Sequence, residues 1–164
     1  MRFMIIRKAT PESESENDAA PSAELMEAMA AYNLEMIKAG VFVGGDGLQP
    51  SAKGARVTIS RDGAKPVVID GPFAETKELV AGFTMIQVAS REEAIDWARR
   101  WPKEDGPVTL EIRQVYEFSD FETPSDAPLE KWAEMEKAFK ALDPKRSGRA
   151  FRGEKRSTAP RRKR

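Results

Sequence analysis

The residues best suited to chemistry lie in one short segment, DGPFAETKE, at residues 70–78. After an apolar run, this segment places Glu75 and Lys77 two positions apart, with Thr76 and Glu78 beside them. A carboxylate and an amine in a partly buried cleft can act as an acid and base pair, or bind a polar ligand. The alternative is a structural turn with a solvated loop, but a turn does not require Glu-Thr-Lys-Glu, so we expect a site here.

The first half of this segment predicts a rigid turn. The Asp70 carboxylate can accept hydrogen bonds from the following amides, and Pro72 fixes its own φ near −65°. Phe73 is then expected to anchor the turn in the core. Asp46, in the segment Gly44–Gly47, is a further candidate. The candidate ligand-binding residues are Asp46, Asp70, Glu75, Thr76, Lys77 and Glu78, and the candidate catalytic residues are Asp70, Glu75 and Lys77.

The composition excludes several kinds of chemistry. The 164 residues include no cysteine and no histidine. A thiol nucleophile, a disulfide framework and a sulfur-based zinc site are therefore excluded, and the commonest general base near neutral pH is missing. We predict no metal and no cofactor, and any catalysis would depend on carboxylates, lysine, tyrosine or hydroxyl groups.

The hydropathy pattern predicts a cytoplasmic protein without a membrane partner. No stretch approaches the ~20 apolar residues that span a bilayer. The apolar start at residues 1–7 is too short for the hydrophobic region of a signal peptide.

The formal net charge of zero hides two oppositely charged parts. Residues 145–164 carry ten Lys or Arg and one acid, Glu154, a net +9. Of the 27 basic and 27 acidic residues, 17 and 26 remain in residues 1–144, a net −9. The tail is predicted to be disordered when free and suits weak, non-specific nucleic-acid binding. Solubilising the protein or folding against the acidic domain are the alternatives.

The elements that must position the candidate site follow a simple order of strand, helix, strand, hairpin, strand, helix and strand. Ser22 is the expected cap of the first helix, and Ser90 with Glu93 forms a capping box for the second. Asp62-Gly63 marks the hairpin turn. The predicted elements are strand 1–7, helix 23–39, strand 41–43, hairpin strands 56–60 and 65–70, strand 82–88, helix 91–101 and strand 108–115. Residues 44–47, Gly-Gly-Asp-Gly, are predicted to form a flexible turn because a phosphate-binding loop would need a following Lys.

This order predicts a ferredoxin-like α+β domain with an inserted β-hairpin. The runs 3–6 and 83–88 place apolar residues on both faces of the sheet, whereas two helices can cover one face. A second copy of the sheet is the simplest cover, so we predict a homodimer.

The character of the chain changes near Phe118. A linker is expected before an amphipathic helix at residues 128–142, whose apolar stripe consists of Leu129, Trp132, Met135, Phe139 and Leu142. The predicted divisions are a domain at 1–120, the linker and helix at 121–144 and the basic tail at 145–164.

Residues 1–117 closely resemble the YCII-related family, specifically its DGPF branch. The resemblance rests on GLQP at 47–50, VVIDGPFAETKE at 67–78, AGF at 81–83 and EAIDWA at 93–98. The resemblance implies a dimeric α+β barrel. Because some members of this branch are linked to alternative sigma factors, it also implies a connection to transcription. Related proteins are thought to use a His and Asp pair, which cannot be carried over to a chain without histidine.

Three functions remain open from the sequence. The favoured hypothesis is a homodimer that binds or senses a small polar molecule, with a link to transcription through sigma-factor systems. The second is a cofactor-independent enzyme of isomerase or lyase type that uses carboxylate and lysine acid–base chemistry. The third is an interaction module that acts through the C-terminal helix and the basic tail.

Overall fold

The computed structural model describes residues 1–15, 21–74, 78–117, 120 and 130–142. The chain divides into two units, Met1–Phe121 and Glu122–Arg164. The strands are β1 Arg2–Lys8, β2 Phe42–Gly47, β3 Ala55–Thr58, β4 Val67–Asp70, β5 Val80–Gln87 and β6 Leu110–Gln114. The helices are α1 Ala23–Lys38, α2 Arg91–Ala98 and α3 Glu130–Leu142.

The first unit contains one antiparallel sheet of four strands in the order β2-β5-β1-β6. Strands β3 and β4 form a separate two-stranded hairpin. The α+β class is therefore confirmed. The strand order and the two interspersed helices are compatible with the predicted ferredoxin-like fold.

Both helices of this unit begin as their sequences predict. The Ser22 hydroxyl accepts a hydrogen bond from the Leu25 amide at 3.2 Å, and Ser90 accepts one from Glu93 at 3.1 Å. Each bond satisfies an amide that the first turn of a helix leaves unpaired. Helix α2 ends at Ala98 and not at the predicted Trp101.

The core lies between the helices and one face of the sheet. Phe3 and Ile5 of β1 and Ile86 of β5 are fully buried there against α1 and α2. The helices contribute Tyr32, Met36, Ala94, Trp97 and Ala98 to this cluster. Burying each large apolar side chain is worth ~1.5–3 kcal/mol, so this face accounts for much of the stability of the unit.

The opposite face of the sheet presents the alternate residues of the same strands. Met4 lies opposite Met85, and Ile6 lies opposite Phe83. Because side chains alternate along a strand, these four residues point away from the core that α1 and α2 cover. The two-faced apolar pattern predicted for these strands is thus present.

The prediction of a flexible turn at residues 44–47 is wrong, because these residues belong to β2. Gly45 pairs with Thr84 across the ladder, and a Cβ at Gly45 would lie 2.7 Å from the Phe83 carbonyl oxygen. The absence of a side chain lets β2 approach β5 closely. Gly45 therefore serves strand packing.

Helix α3 forms within the predicted range 128–142 and includes Trp132 and Met135. The linker, Leu129 and the basic tail lie outside the described residues, as do the side chains of Phe139 and Leu142. In the part of the chain that the structure describes, no helix combines the length and apolar character needed to cross a membrane.

Candidate functional site

A cavity of about 150 Å³ lies between α1 and the sheet. Its floor is a row of three residues in register across neighbouring strands, Arg7 of β1, Gly82 of β5 and Gly47 of β2. The full lining is Arg7, Met29, Asn33, Phe42, Gly45, Asp46, Gly47, Ala81, Gly82, Phe83, Thr84 and Trp101.

The space exists because glycines replace side chains on the face of the sheet that α1 covers. Gly45 and Gly47 alternate with Asp46 along β2, and they lie opposite Thr84 and Gly82 of β5. A Cβ at Gly47 would meet no atom within 4 Å. A side chain at position 47 would therefore project into the space between the sheet and α1.

One wall of the cavity is held by a hydrogen-bonded group of three residues. Arg7 donates two hydrogen bonds to the Asp105 carboxylate, from Nε at 2.7 Å and from Nη2 at 2.6 Å. The Trp101 indole donates a third to the same carboxylate at 2.8 Å. The Asp105 side chain is 4% exposed and that of Arg7 is 18% exposed. Such a paired, charge-assisted arrangement fixes the orientation of Arg7 and Trp101.

Two uncharged polar side chains also line the cavity. Thr84 is 4% exposed and lies between the apolar Phe83 and Met85 of β5. Asn33 of α1 has a buried side-chain oxygen, Oδ1, without a hydrogen-bond partner among the described residues. A buried acceptor left unpaired costs ~1–3 kcal/mol, so Asn33 is a site where a donor from a ligand would be favourable.

The Trp101 ring packs against the ring of Tyr32. Their rings meet edge to face with centroids 5.5 Å apart, and the Tyr32 hydroxyl donates to the Trp97 carbonyl at 2.9 Å. Burial is the main cause that raises the pKa of Tyr32 to about 12, and Glu35 adds to the rise while Arg100 opposes it. Tyr32 is therefore neutral at physiological pH and acts as a structural group.

The residues predicted from the sequence are distributed differently. Asp46 lines the cavity and is exposed. Asp70 ends β4 and is exposed, and Glu78 is exposed before β5; neither lines the cavity. Glu75, Thr76 and Lys77 lie outside the described residues. The structure therefore places Asp46 of β2, but not Asp70 or Glu78, next to the cavity. Because Asp46 alternates with Gly45 and Gly47, its carboxylate lies on the opposite face of the sheet.

The turn that follows β4 differs from the prediction in two respects. Phe73 is only half-buried and carries the Arg56 guanidinium 4.1 Å above its ring, so the prediction of a core anchor is wrong. The amides of Gly71 and Phe73 donate to the Gly54 carbonyl at 3.0 Å and to the Ser51 hydroxyl at 3.2 Å, and not to the Asp70 carboxylate as predicted. A Cβ on Gly71 would overlap the Ser51 carbonyl. Close packing against Ser51 is thus the reason for the glycine.

Sequence reasoning missed Arg7, Asn33, Thr84, Trp101 and Asp105. One signal was available for Asn33, because it stands among Met29, Tyr32 and Met36 on the apolar stripe of α1. Polar residues at core positions are unusual and point to a specific partner. No comparable signal identifies Asp105.

The described residues offer little to a metal ion. They contain no group of three or more acidic side chains that could hold one, and the chain has no histidine or cysteine. The cavity instead combines apolar walls with a few amide, hydroxyl and guanidinium groups. This combination suits a small organic molecule.

The comparisons with known proteins agree with the fold. The model of the YCII-related domain family matches residues 1–119. A protein of Rhizobium meliloti (strain 1021), described as uncharacterised, is 38% identical over 72 residues, which are 43% of this chain. The matched region spans 58% of the length of that relative. The family match does not distinguish the DGPF branch, which stays a prediction. The chain belongs to the YCII-related domain family.

Proposed function

We propose that this protein is a homodimer that binds a small polar molecule in the cavity between α1 and the sheet. The observation that carries the proposal is Asn33, whose buried Oδ1 has no partner among the described residues and whose side chain lines the cavity. Buried polar groups are normally satisfied. A bound ligand would supply the missing partner once the Asn33 amide rotates to turn this oxygen towards the cavity.

The composition of the walls supports this proposal. Met29, Phe42 and Trp101 provide apolar surface, and Arg7 and Thr84 provide polar groups. Binding sites for small molecules combine apolar walls with a few placed polar groups. The volume of about 150 Å³ is below the ~300–1,000 Å³ of drug-sized sites, so the ligand is small.

The loop that carries the predicted polar residues leads directly into the cavity wall. Glu78 precedes β5 by two positions, and Ala81 and Gly82 of β5 line the cavity. This connection supports a role for Glu75, Thr76 and Lys77 near the ligand, which stays a prediction because those residues lie outside the described part of the chain.

Exposed apolar surface supports the homodimer. On the sheet face opposite the helices, Met4, Ile6 and Phe83 are partly exposed, whereas Met85 is buried at 8% exposure. The hairpin adds Val57, Val67, Val68 and Ile69, which are each more than half exposed. Exposed apolar surface such as that of the hairpin marks an interface in soluble proteins, and a symmetric pair would bury the same face of each copy.

Blocking the cavity tests the proposed function. The substitution Gly47→Val fills the cavity from its floor, and it should be tolerated because the backbone φ is not positive and no atom lies within 4 Å of the new Cβ. Gly54→Val is the matched control, since Gly54 is extended at φ −112° and does not line the cavity.

A fragment library should be screened by ligand-observed NMR against the wild type and both variants. We expect at least one fragment that binds the wild type and Gly54→Val but loses at least about tenfold in affinity to Gly47→Val. The proposed function fails if every binding fragment is retained by Gly47→Val while that variant keeps its melting temperature.

The other functional hypotheses stay predictions. The link to sigma-factor systems comes from the family resemblance alone. Acid–base catalysis depends on Glu75 and Lys77, and nucleic-acid binding depends on residues 145–164; all of these lie outside the described residues. A transcriptional role, an enzymatic role and an interaction role therefore each need their own experiment.

A further inference from the structure

We infer that the ligand of this cavity is uncharged and carries both a hydrogen-bond acceptor and an N–H or O–H donor, as a primary carboxamide does. This inference rests on the proposed binding of a small molecule in the cavity. It concerns the charge and hydrogen-bonding class of that molecule.

The first argument is the charge balance of the cavity. Arg7 is the single cationic residue in the described lining, and its charge is compensated by the bidentate contact with Asp105. Asp46 of β2 also adjoins the cavity, but it alternates with Gly45 and Gly47 along the strand, so its side chain points to the opposite face of the sheet and does not add to this balance. An anionic ligand would gain little from Arg7, because the Asp105 carboxylate repels it over a similar distance.

The second argument is that Arg7 is not free to exchange its partner. Asp105 is almost fully buried and also accepts a hydrogen bond from Trp101. Moving Arg7 to an anionic ligand would leave a buried carboxylate without its cation, which is strongly unfavourable. A ligand that carries a phosphate or carboxylate group is therefore disfavoured in this cavity.

The hydrogen-bonding groups of Arg7 and Asn33 define which groups a neutral ligand must carry. A guanidinium group has five N–H donors, and Asp105 accepts from two of them. The remaining donors can meet a neutral carbonyl oxygen. Asn33 requires an N–H or O–H donor from the ligand, because its buried Oδ1 accepts a hydrogen bond from no described residue. The terminal amide of asparagine rotates readily about its last bond and can present this oxygen to a ligand donor.

The size and walls of the cavity allow a planar apolar body. A cavity of 150 Å³ lined by apolar side chains can hold a benzene-sized ring. Met29, Phe42 and Trp101 provide such walls here, and the cavity opens to solvent, so a polar substituent can extend beyond the enclosed volume. Benzamide is accordingly a suitable probe.

The test compares three probes of nearly the same shape and different charge. Benzamide is neutral, benzoate carries one negative charge and benzamidinium carries one positive charge. Each is titrated into the full-length wild type and the Gly47→Val variant at pH 7.5, and binding is followed by saturation-transfer NMR. We expect benzamide to bind at least about tenfold more tightly than benzoate and more tightly than benzamidinium, with all binding reduced in Gly47→Val.

The outcomes separate this inference from the proposed function. Binding of benzoate or benzamidinium as tight as that of benzamide, and sensitive to Gly47→Val, overturns the inference and leaves the proposed function standing. If none of the three binds, the inference is overturned, and the fragment screen then decides the proposed function independently.

The Asp105→Asn variant gives a second readout. Asparagine retains an acceptor for Trp101 but no longer neutralises Arg7, so benzoate should gain at least about tenfold relative to benzamide. An unchanged preference in a folded variant would contradict the charge argument. If the variant does not fold, the comparison of the three probes on the wild type decides.

Discussion

Arg7 and Asp105 are joined by two hydrogen bonds of 2.7 and 2.6 Å although they lie 98 residues apart in the chain. The contact links the end of β1 to the short turn Lys103–Asp105 that precedes β6. It closes one side of the cavity and holds the Trp101 ring through a third hydrogen bond. The same contact therefore shapes the cavity and sets its charge.

Removing the charge of Asp105 is expected to destabilise the protein strongly. The carboxylate is 4% exposed, and Asp105→Asn would leave the partly buried Arg7 without its counter-charge. Breaking one partner of such a pair costs ~3–5 kcal/mol in the free energy of unfolding. Urea denaturation measures this loss. The control is Glu104→Gln at the neighbouring exposed position, which should change the free energy of unfolding by less than ~0.5 kcal/mol. Equal losses in both variants would contradict the role of Asp105 as the buried counter-charge of Arg7.

The stability of the protein should fall in alkaline solution because of Tyr32. Its pKa in the folded state is raised to about 12 from the ordinary value of 10.0. Folding therefore favours the protonated phenol, and this contribution is complete below pH 10 and is lost as the pH rises from 10 towards 12. The loss amounts to ~2–3 kcal/mol at pH 12.

The matched variant for this prediction is Tyr32→Phe. At pH 8 it should be ~1 kcal/mol less stable than the wild type, because the hydrogen bond to the Trp97 carbonyl is lost. Between pH 10 and 12 its stability should fall by less than that of the wild type. Parallel stability curves over this range, measured by urea denaturation, would refute a buried, titrating Tyr32.

Two glycines of the same strand should respond oppositely to alanine. At Gly45 the new methyl group would lie 2.7 Å from the Phe83 carbonyl oxygen, so Gly45→Ala should cost ~1–3 kcal/mol. At Gly47 it meets no atom within 4 Å, and Gly47→Ala should be neutral or stabilising by up to ~1 kcal/mol. Thermal unfolding measures both, and a larger loss at Gly47 than at Gly45 would contradict the described packing of β2 on β5.

The proposed homodimer predicts a specific mass. The chain weighs 18.3 kDa, and light scattering at micromolar concentration should give about twice that value. Met4→Glu places a charge on the sheet face opposite the helices and should shift the protein towards a monomer. A monomeric wild type would contradict the proposed interface.

Much of the fold could be predicted from local sequence signals. The serines at positions 22 and 90 identify where α1 and α2 begin, because a hydroxyl at the cap satisfies amides of the first turn. Asp62-Gly63 lies in the connection between β3 and β4, where Gly63 has a φ of 81°. This connection is longer than predicted, because β3 ends at Thr58 and β4 begins at Val67. These signals are local, so they can be interpreted without knowing the neighbours in space.

The cavity could not be predicted because its parts are distant in sequence. The pairing of Arg7 with Asp105 depends on the sheet bringing β1 next to β6, and no spacing in the sequence indicates it. The predictions of a core anchor at Phe73 and of a flexible turn at residues 44–47 are wrong for a related reason. An aromatic residue after a turn and a run of glycines have several structural uses, and the contacts with Arg56 and β5 decide between them.

The most direct test of the account maps the binding site of a cavity ligand residue by residue. A ¹H–¹⁵N correlation spectrum of the wild type, titrated with a fragment that binds, reports the backbone amides together with the Trp101 indole and the Asn33 side-chain amide. We predict that the largest shifts fall on Trp101, Asn33, Gly47 and Gly82, and that they disappear in Gly47→Val. Shifts confined to the β3–β4 hairpin or to the segment around Asp70, and retained in Gly47→Val, would contradict the assignment of the cavity as the binding site.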